Sequence, residues 1–173
     1  YVRGLEFQPG NTQVVHHANI RIDSTTASRE LDASDPEPGY EGVTPFAARF
    51  PSGYFLGWTP GQLRPLNDDS MSWQLEPGSD MLVELHLMPV QQPQVVRSRV
   101  GLFFANTPPT RVPALIRLGR QGIEIPAGDT AFVSRDSYVL PVDVEIHGVQ
   151  PHAHYLAREV NGFATLPNGD RRW

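Results

Sequence analysis

Six histidines, His16, His17, His86, His147, His152 and His154, are the main chemical resource of a chain that contains no cysteine. Without thiolates, any bound metal must be held by imidazole, carboxylate, carbonyl or thioether groups, and neutral imidazole suits Zn, Cu, Fe and Ni. His152-Ala153-His154 is the most informative pair. On a strand, residues i and i+2 face the same side, so both rings could converge on one ion. Two solvent-facing or core-satisfied histidines are the alternative. His16-His17 is harder to place, because adjacent strand residues point to opposite faces and His16 falls on the otherwise apolar face of Val14, Ala18, Ile20 and Ile22. Both rings reach one metal only if they swing round from opposite sides or a bulge re-aims one of them. A buried neutral imidazole bonded to a carbonyl is the competing reading. His86 shares a strand face with Glu84 and Met88 and by itself reads as a core or edge histidine. His147, with Asp143 and Glu145, lies on a face that reads as solvated.

The elements that must position these side chains are strands. Period-2 alternation dominates, and strong helical periodicity is hard to find. Val14–Asp23, Met81–Met88, Val100–Phe104, Ala131–Val133, Tyr138–Leu140 and Val142–His147 are the expected strands. In the last of these Val142, Val144 and Ile146 are expected to face inward. Pro36-Glu37-Pro38-Gly39, Pro51-Ser52-Gly53, Pro60-Gly61 and Pro77-Gly78 mark turns between runs. Many short strands separated by Gly/Pro turns predict an all-β fold, a jelly-roll-like β-sandwich followed by the first part of a second one. Residues 24–47 form a long, acidic, patternless loop, functional or mobile. Three prolines between Thr107 and Pro113 cannot join a central ladder, which suggests a linker and a division into domains 1–110 and 111–173.

Composition narrows the function classes. The length of 173 residues fits one ordinary domain or two small or incomplete ones. Hydrophobic residues at 39% against 19% charged allow a buried core. The net charge is −5, and no arginine cluster precedes Arg171-Arg172, so the footprint of a nucleic-acid binder is missing. No apolar run is long enough to span a membrane. The first residues do not resemble a signal peptide, and a chain that begins without Met suggests an excised or incomplete sequence.

Taken in order, the motifs resemble those of the copper type II, ascorbate-dependent monooxygenases, the family of peptidylglycine α-hydroxylating and dopamine β-monooxygenases. Val14-Val15-His16-His17 is similar to that family's vicinal-histidine motif. Val83-Glu84-Leu85-His86 is similar to the strand carrying the third ligand of the same copper, and Pro151-His152-Ala153-His154-Tyr155-Leu156 to the His-x-His motif of a second copper. Order and approximate spacing agree over nearly the whole chain. The resemblance implies two nine-stranded β-sandwich domains, each holding a copper beside a solvent-filled cleft. It implies His16, His17 and His86 as ligands of an electron-transfer copper, and His152 and His154 as two of three ligands where oxygen is activated. The reaction implied is hydroxylation of a C–H bond of a small-molecule or peptide substrate by O2, with ascorbate or another reductant as electron donor. Imidazole tolerates both copper oxidation states, and a thioether favours Cu(I).

Departures from the family pattern carry expectations of their own. The family's third ligand at the second copper is a Met well downstream, whereas Met71, Met81 and Met88 all precede His152. The chain is therefore expected to be a fragment with no turnover by itself. The absence of cysteine looks more like a bacterial branch without disulfides. Gln150 stands where peptide-amidating members use an Arg to clamp a peptide carboxylate, which argues against a glycine-extended peptide. Gln150 and Tyr155 flank the His-x-His pair as candidate substrate contacts. An extracytoplasmic location is expected from the resemblance alone. Two other readings stand beside it. His152, His154 and Glu159 match the core of a cupin motif for Fe, Mn or Zn, although Ile146 and Leu166 occupy the positions of its flanking glycines. Exposed Tyr40, Tyr54, Trp58 and Trp73 would instead suit a non-catalytic β-sandwich module that binds carbohydrate or protein.

Overall fold

The computed structural model describes residues 1–62, 68–119, 122–153 and 157–173. The fold is all-β, with strand far outweighing helix. The chain divides into two compact units, Tyr1–Arg117 and Leu118–Trp173.

The first unit is built on two sheets. In one, β1 (Val2–Gln8) pairs antiparallel with β5 (Arg99–Phe104). In the other, β2 (Val15–Asp23) is central, with β3 (Gly57–Trp58) on one side and β4 (Asp80–Leu87) on the other. The alternation of β2 and β4 decides which face is buried. Ala18, Ile20 and Ile22 pair with Leu85, Val83 and Met81, and these turn inward. Leu5, Phe7, Val14, Val15, Ala18 and Ile20 form the core, with Val100, Leu102 and Trp58 packed against them. Trp58 lies 5.4 Å from the Phe7 ring, so the short β3 plugs the space between the sheets. Burying an Ile or Phe side chain contributes about 1.5–3 kcal/mol, and these residues supply the main apolar driving force.

The opposite face of the same ladder carries the chemistry. His17 pairs with His86, Asn19 with Glu84 and Arg21 with Leu82, so their side chains leave the sheet on the side away from the core. At the far end of this face Asp23 is fully buried beneath α1 (Ala27–Ser34). That helix falls within the stretch expected to be a patternless loop. Its first turn is organised by Asp23, whose carboxylate accepts from the Thr25 amide (2.8 Å) and hydroxyl (2.6 Å) and from the Ser28 amide (2.8 Å) and hydroxyl (2.6 Å). Thr26 adds a hydroxyl bond of 2.6 Å to Glu30. Arg29 then grips Asp80 of β4 with two bonds of 3.0 and 2.7 Å. The bidentate geometry ties the helix to the sheet edge.

The aromatic residues proposed as stacking surfaces are largely inside. Trp73 is buried, Tyr40, Tyr54 and Trp58 are half-buried, and the Tyr54 hydroxyl donates to the Met71 carbonyl. Burial pushes the phenols of Tyr40 and Tyr54 above their usual range. The proline-rich stretch at 107–113 lies within the first unit, where the Thr110 and Arg111 amides both donate to the Ser70 carbonyl at 3.0 and 2.9 Å.

In the second unit the described strands are β6 (Ala164–Thr165) and β7 (Arg171–Arg172), joined by a tight turn in which the Leu166 amide donates to the Asp170 carbonyl. Arg171 and Trp173 pack on Phe163. The runs at 131–133, 138–140 and 142–147 are not strands, and Val142, Val144 and Ile146 are exposed rather than inward-facing. Alternation specifies a face only where a neighbouring strand receives the backbone hydrogen bonds, and among the described residues none lies beside these runs.

Candidate metal centre

At the start of β2 the pairing slips. Val15 lies opposite Leu87 and His17 opposite His86, so two steps on β2 answer one on β4 and His16 is the extra residue of a β-bulge. This corrects the expectation that His16 lies on the apolar face. Val14 and Val15 are both buried, Ala18 and Ile20 resume the buried set one residue out of phase with Val15, and the bulge absorbs the mismatch. His16 is thereby expelled to the outer side, where it is exposed. The chain end of β4 is fixed beside it by a 2.7 Å bond from the Met88 amide to the Val14 carbonyl.

The consequence is a compact imidazole cluster. His16 Nδ1 approaches His17 Nδ1 to 3.0 Å, and His17 Nε2 approaches His86 Nδ1 to 3.1 Å. The His17 and His86 rings stand at 88° with centroids 4.4 Å apart, and the His16 and His17 rings at 67° and 5.1 Å. One nitrogen from each ring lies within 4.8 Å of the other two. His16 and His86 are exposed and His17 is half-buried, so the cluster is open on its outer side.

These residues fit a metal ion. Two imidazole nitrogens bound to one ion at about 2.0–2.1 Å must lie between roughly 3 and 4 Å apart. Each close contact satisfies this, but the two use different nitrogens of His17, so a single ion keeps one of them and draws in the remaining separations, which lie within 4.8 Å. His17 stands between its neighbours with both nitrogens engaged, so it yields one contact when it turns a single nitrogen to an ion. The donor set is three imidazole nitrogens with no carboxylate within the cluster, which suits a borderline transition metal rather than Ca or Mg.

The remaining candidates lie elsewhere. His152 and Gln150 are exposed residues of the second unit, while His154 and Tyr155 lie outside the described residues. Glu159 is exposed and accepts a 2.8 Å bond from Asn161. His147 Nε2 lies 3.6 Å from Glu145 on an exposed surface. Met71 is buried in the first unit, and Met81 packs against its core. Met88 is half-exposed and follows the end of β4 by one residue.

Comparisons with protein-family models, with curated proteins and with solved structures find no match to this chain.

Proposed function

We propose that the chain carries the electron-transfer copper site of a copper type II, ascorbate-dependent monooxygenase, with His16, His17 and His86 as ligands. The single observation behind this reading is the convergence of three imidazoles from a strand bulge and its cross-strand neighbour. In the same proposal, His152 and His154 supply the hydroxylating copper, with O2 and a small-molecule or peptide substrate as partners. An extracytoplasmic location belongs to it as well. Copper at the first site would supply single-electron transfer from a reductant such as ascorbate.

The chain's own residues have simpler tasks. The bulge fixes the backbone from which His16 projects, and the β2–β4 ladder fixes His17 against His86. Because two of the three rings are exposed, a reductant can approach the outer side without any rearrangement of the core. Imidazole-only ligation also lets one donor set serve both oxidation states with little reorganisation.

Titration with Cu(II) is expected to fill a tight site whose EPR spectrum is of the nitrogen-rich type 2 form, and ascorbate is expected to bleach that signal. Copper that binds without nitrogen couplings, or that ascorbate fails to reduce, contradicts the proposal.

A further inference from the structure

The outer face of the β2–β4 ladder does not end at the histidines. One alternation beyond His86 stands Glu84, and two beyond His17 stands Arg21, so each step of about 7 Å brings another polar side chain onto that face. The segment from Gly42 to Arg49 folds over this end and closes a cleft of about 550 Å³. Its floor is Arg21 and Glu84, and its opposite wall is Thr44, Pro45, Phe46 and Arg49.

The charges in the cleft are unequally matched. Arg21 Nε lies 3.7 Å from Glu84, which also accepts from the Thr44 hydroxyl at 3.4 Å, so Glu84 is shared between two donors. Arg21 Nε makes no hydrogen bond although it is buried. Arg49 has no carboxylate within 4.0 Å among the described residues, and its Nε donates only to the Phe46 carbonyl at 3.3 Å. Two arginines against one glutamate leave the cleft with an excess positive charge. Both guanidiniums sit over aromatic rings, the Arg49 Cζ 4.6 Å from the centre of Phe46 and the Arg21 Cζ 4.7 Å from that of Phe50. Such stacking fixes the planar fork and lowers the entropy lost when it meets an anion. The Arg49 backbone is anchored independently, since its amide and carbonyl exchange bonds of 2.9 and 2.8 Å with Ile22. The volume is that of a small-molecule site, and apolar surface from Val43, Pro45 and Phe46 lies beside the cations.

We propose that this cleft binds a small organic carboxylate that carries an apolar or aromatic body, with Arg49 and Arg21 receiving the carboxylate and Phe46 and Pro45 the body. A planar guanidinium matches a carboxylate in two parallel bonds, and the apolar wall discriminates against inorganic anions. Occupancy does not require metal at the histidines.

Calorimetric titration of the metal-free chain with benzoate at low salt is the test, with benzamide and inorganic phosphate as controls. Saturable benzoate binding is expected, with little response to either control. Arg49→Gln is expected to weaken benzoate at least tenfold, and Arg21→Gln to weaken it as well. His86→Ala is expected to leave it unchanged, so failure of the copper reading would not affect the outcome. Arg49 is exposed and its bonds to Ile22 of β2 are made by its backbone, so the substitution keeps that anchor, as circular dichroism would verify. No saturable binding, equal binding of benzamide or phosphate, or benzoate affinity indifferent to Arg49→Gln and Arg21→Gln would overturn the proposal.

Discussion

His86→Ala is expected to lower Cu(II) affinity by more than ~100-fold while leaving the fold intact. Loss of an outer partner of a ligand already costs about 10–100-fold in metal affinity, and loss of a ligand itself should exceed that. His86 is the donor that comes from a different strand, so without it only the vicinal pair at the bulge remains. Two adjacent rings by themselves have no second element to hold them in register. The side chain is exposed and outside the core, so alanine removes little packing. Competition against a chromophoric chelator measures the change, and His147→Ala serves as a control expected to show none. Affinity indifferent to His86→Ala, but lost in His152→Ala, would contradict the assignment of the site to the first unit.

Acidification should reveal the second large effect, at Asp23. Its carboxylate accepts four hydrogen bonds from Thr25 and Ser28 in a fully buried position. The Ser28 hydroxyl, and after it the Thr25 hydroxyl, hold the carboxyl well below the usual carboxylate range, against the opposing effect of burial. A folded value below the unfolded one, about 3.9, means that the unfolded chain binds the proton more tightly. The stabilisation is therefore complete above about pH 4 to 5 and declines as pH falls through the folded value. Asp23→Asn keeps the shape but sets an NH2 group against hydroxyl and amide donors. It is expected to cost about 2–3 kcal/mol at neutral pH and to flatten the loss of stability between pH 5 and pH 2. Part of the slope should survive through Asp68, whose carboxyl is lowered chiefly by the Ser70 hydroxyl. Urea denaturation across that pH range is the measurement. A variant as stable as the parent at pH 7, with an unchanged acid limb, would show that Asp23 does not anchor α1.

How far these features were legible in the sequence depends on what each needed besides its own residues. The alternation in β2 and β4 is strong enough to locate both strands to within a residue, to turn Arg21 away from the apolar face and to group Glu84 with His86 on one face. Which face of β4 lies outside is settled only by its pairing with β2. The bulge was not legible as an event, although Val14 and Val15 side by side with Ala18 and Ile20 already contain the phase slip that expels His16. α1 was missed because its apolar face is slight and it is held by polar contacts. The run Asp23-Ser24-Thr25-Thr26 offers N-cap residue types ahead of it, but Arg29 stands where a capping box needs Glu or Gln, so the start signal is weak. The runs at 131–147 carried the same alternation as β2 without forming strands, because pairing depends on a neighbour that periodicity does not specify. β1 has no clean alternation, and its place shows only in the fold, where Leu5 and Phe7 join the core with β2 and Val2 is buried beside Trp73. The arginine cleft needed the fold of residues 42–49 over the sheet, which no local pattern encodes.

The central claim is that one ion is held jointly by His16, His17 and His86, and pulsed EPR of the chain loaded with a single equivalent of Cu(II) tests it most directly. Couplings from three imidazoles are predicted, falling to two in His86→Ala and again to two in His16→Ala. A spectrum with a single coupled imidazole, or one that neither substitution alters, would contradict it.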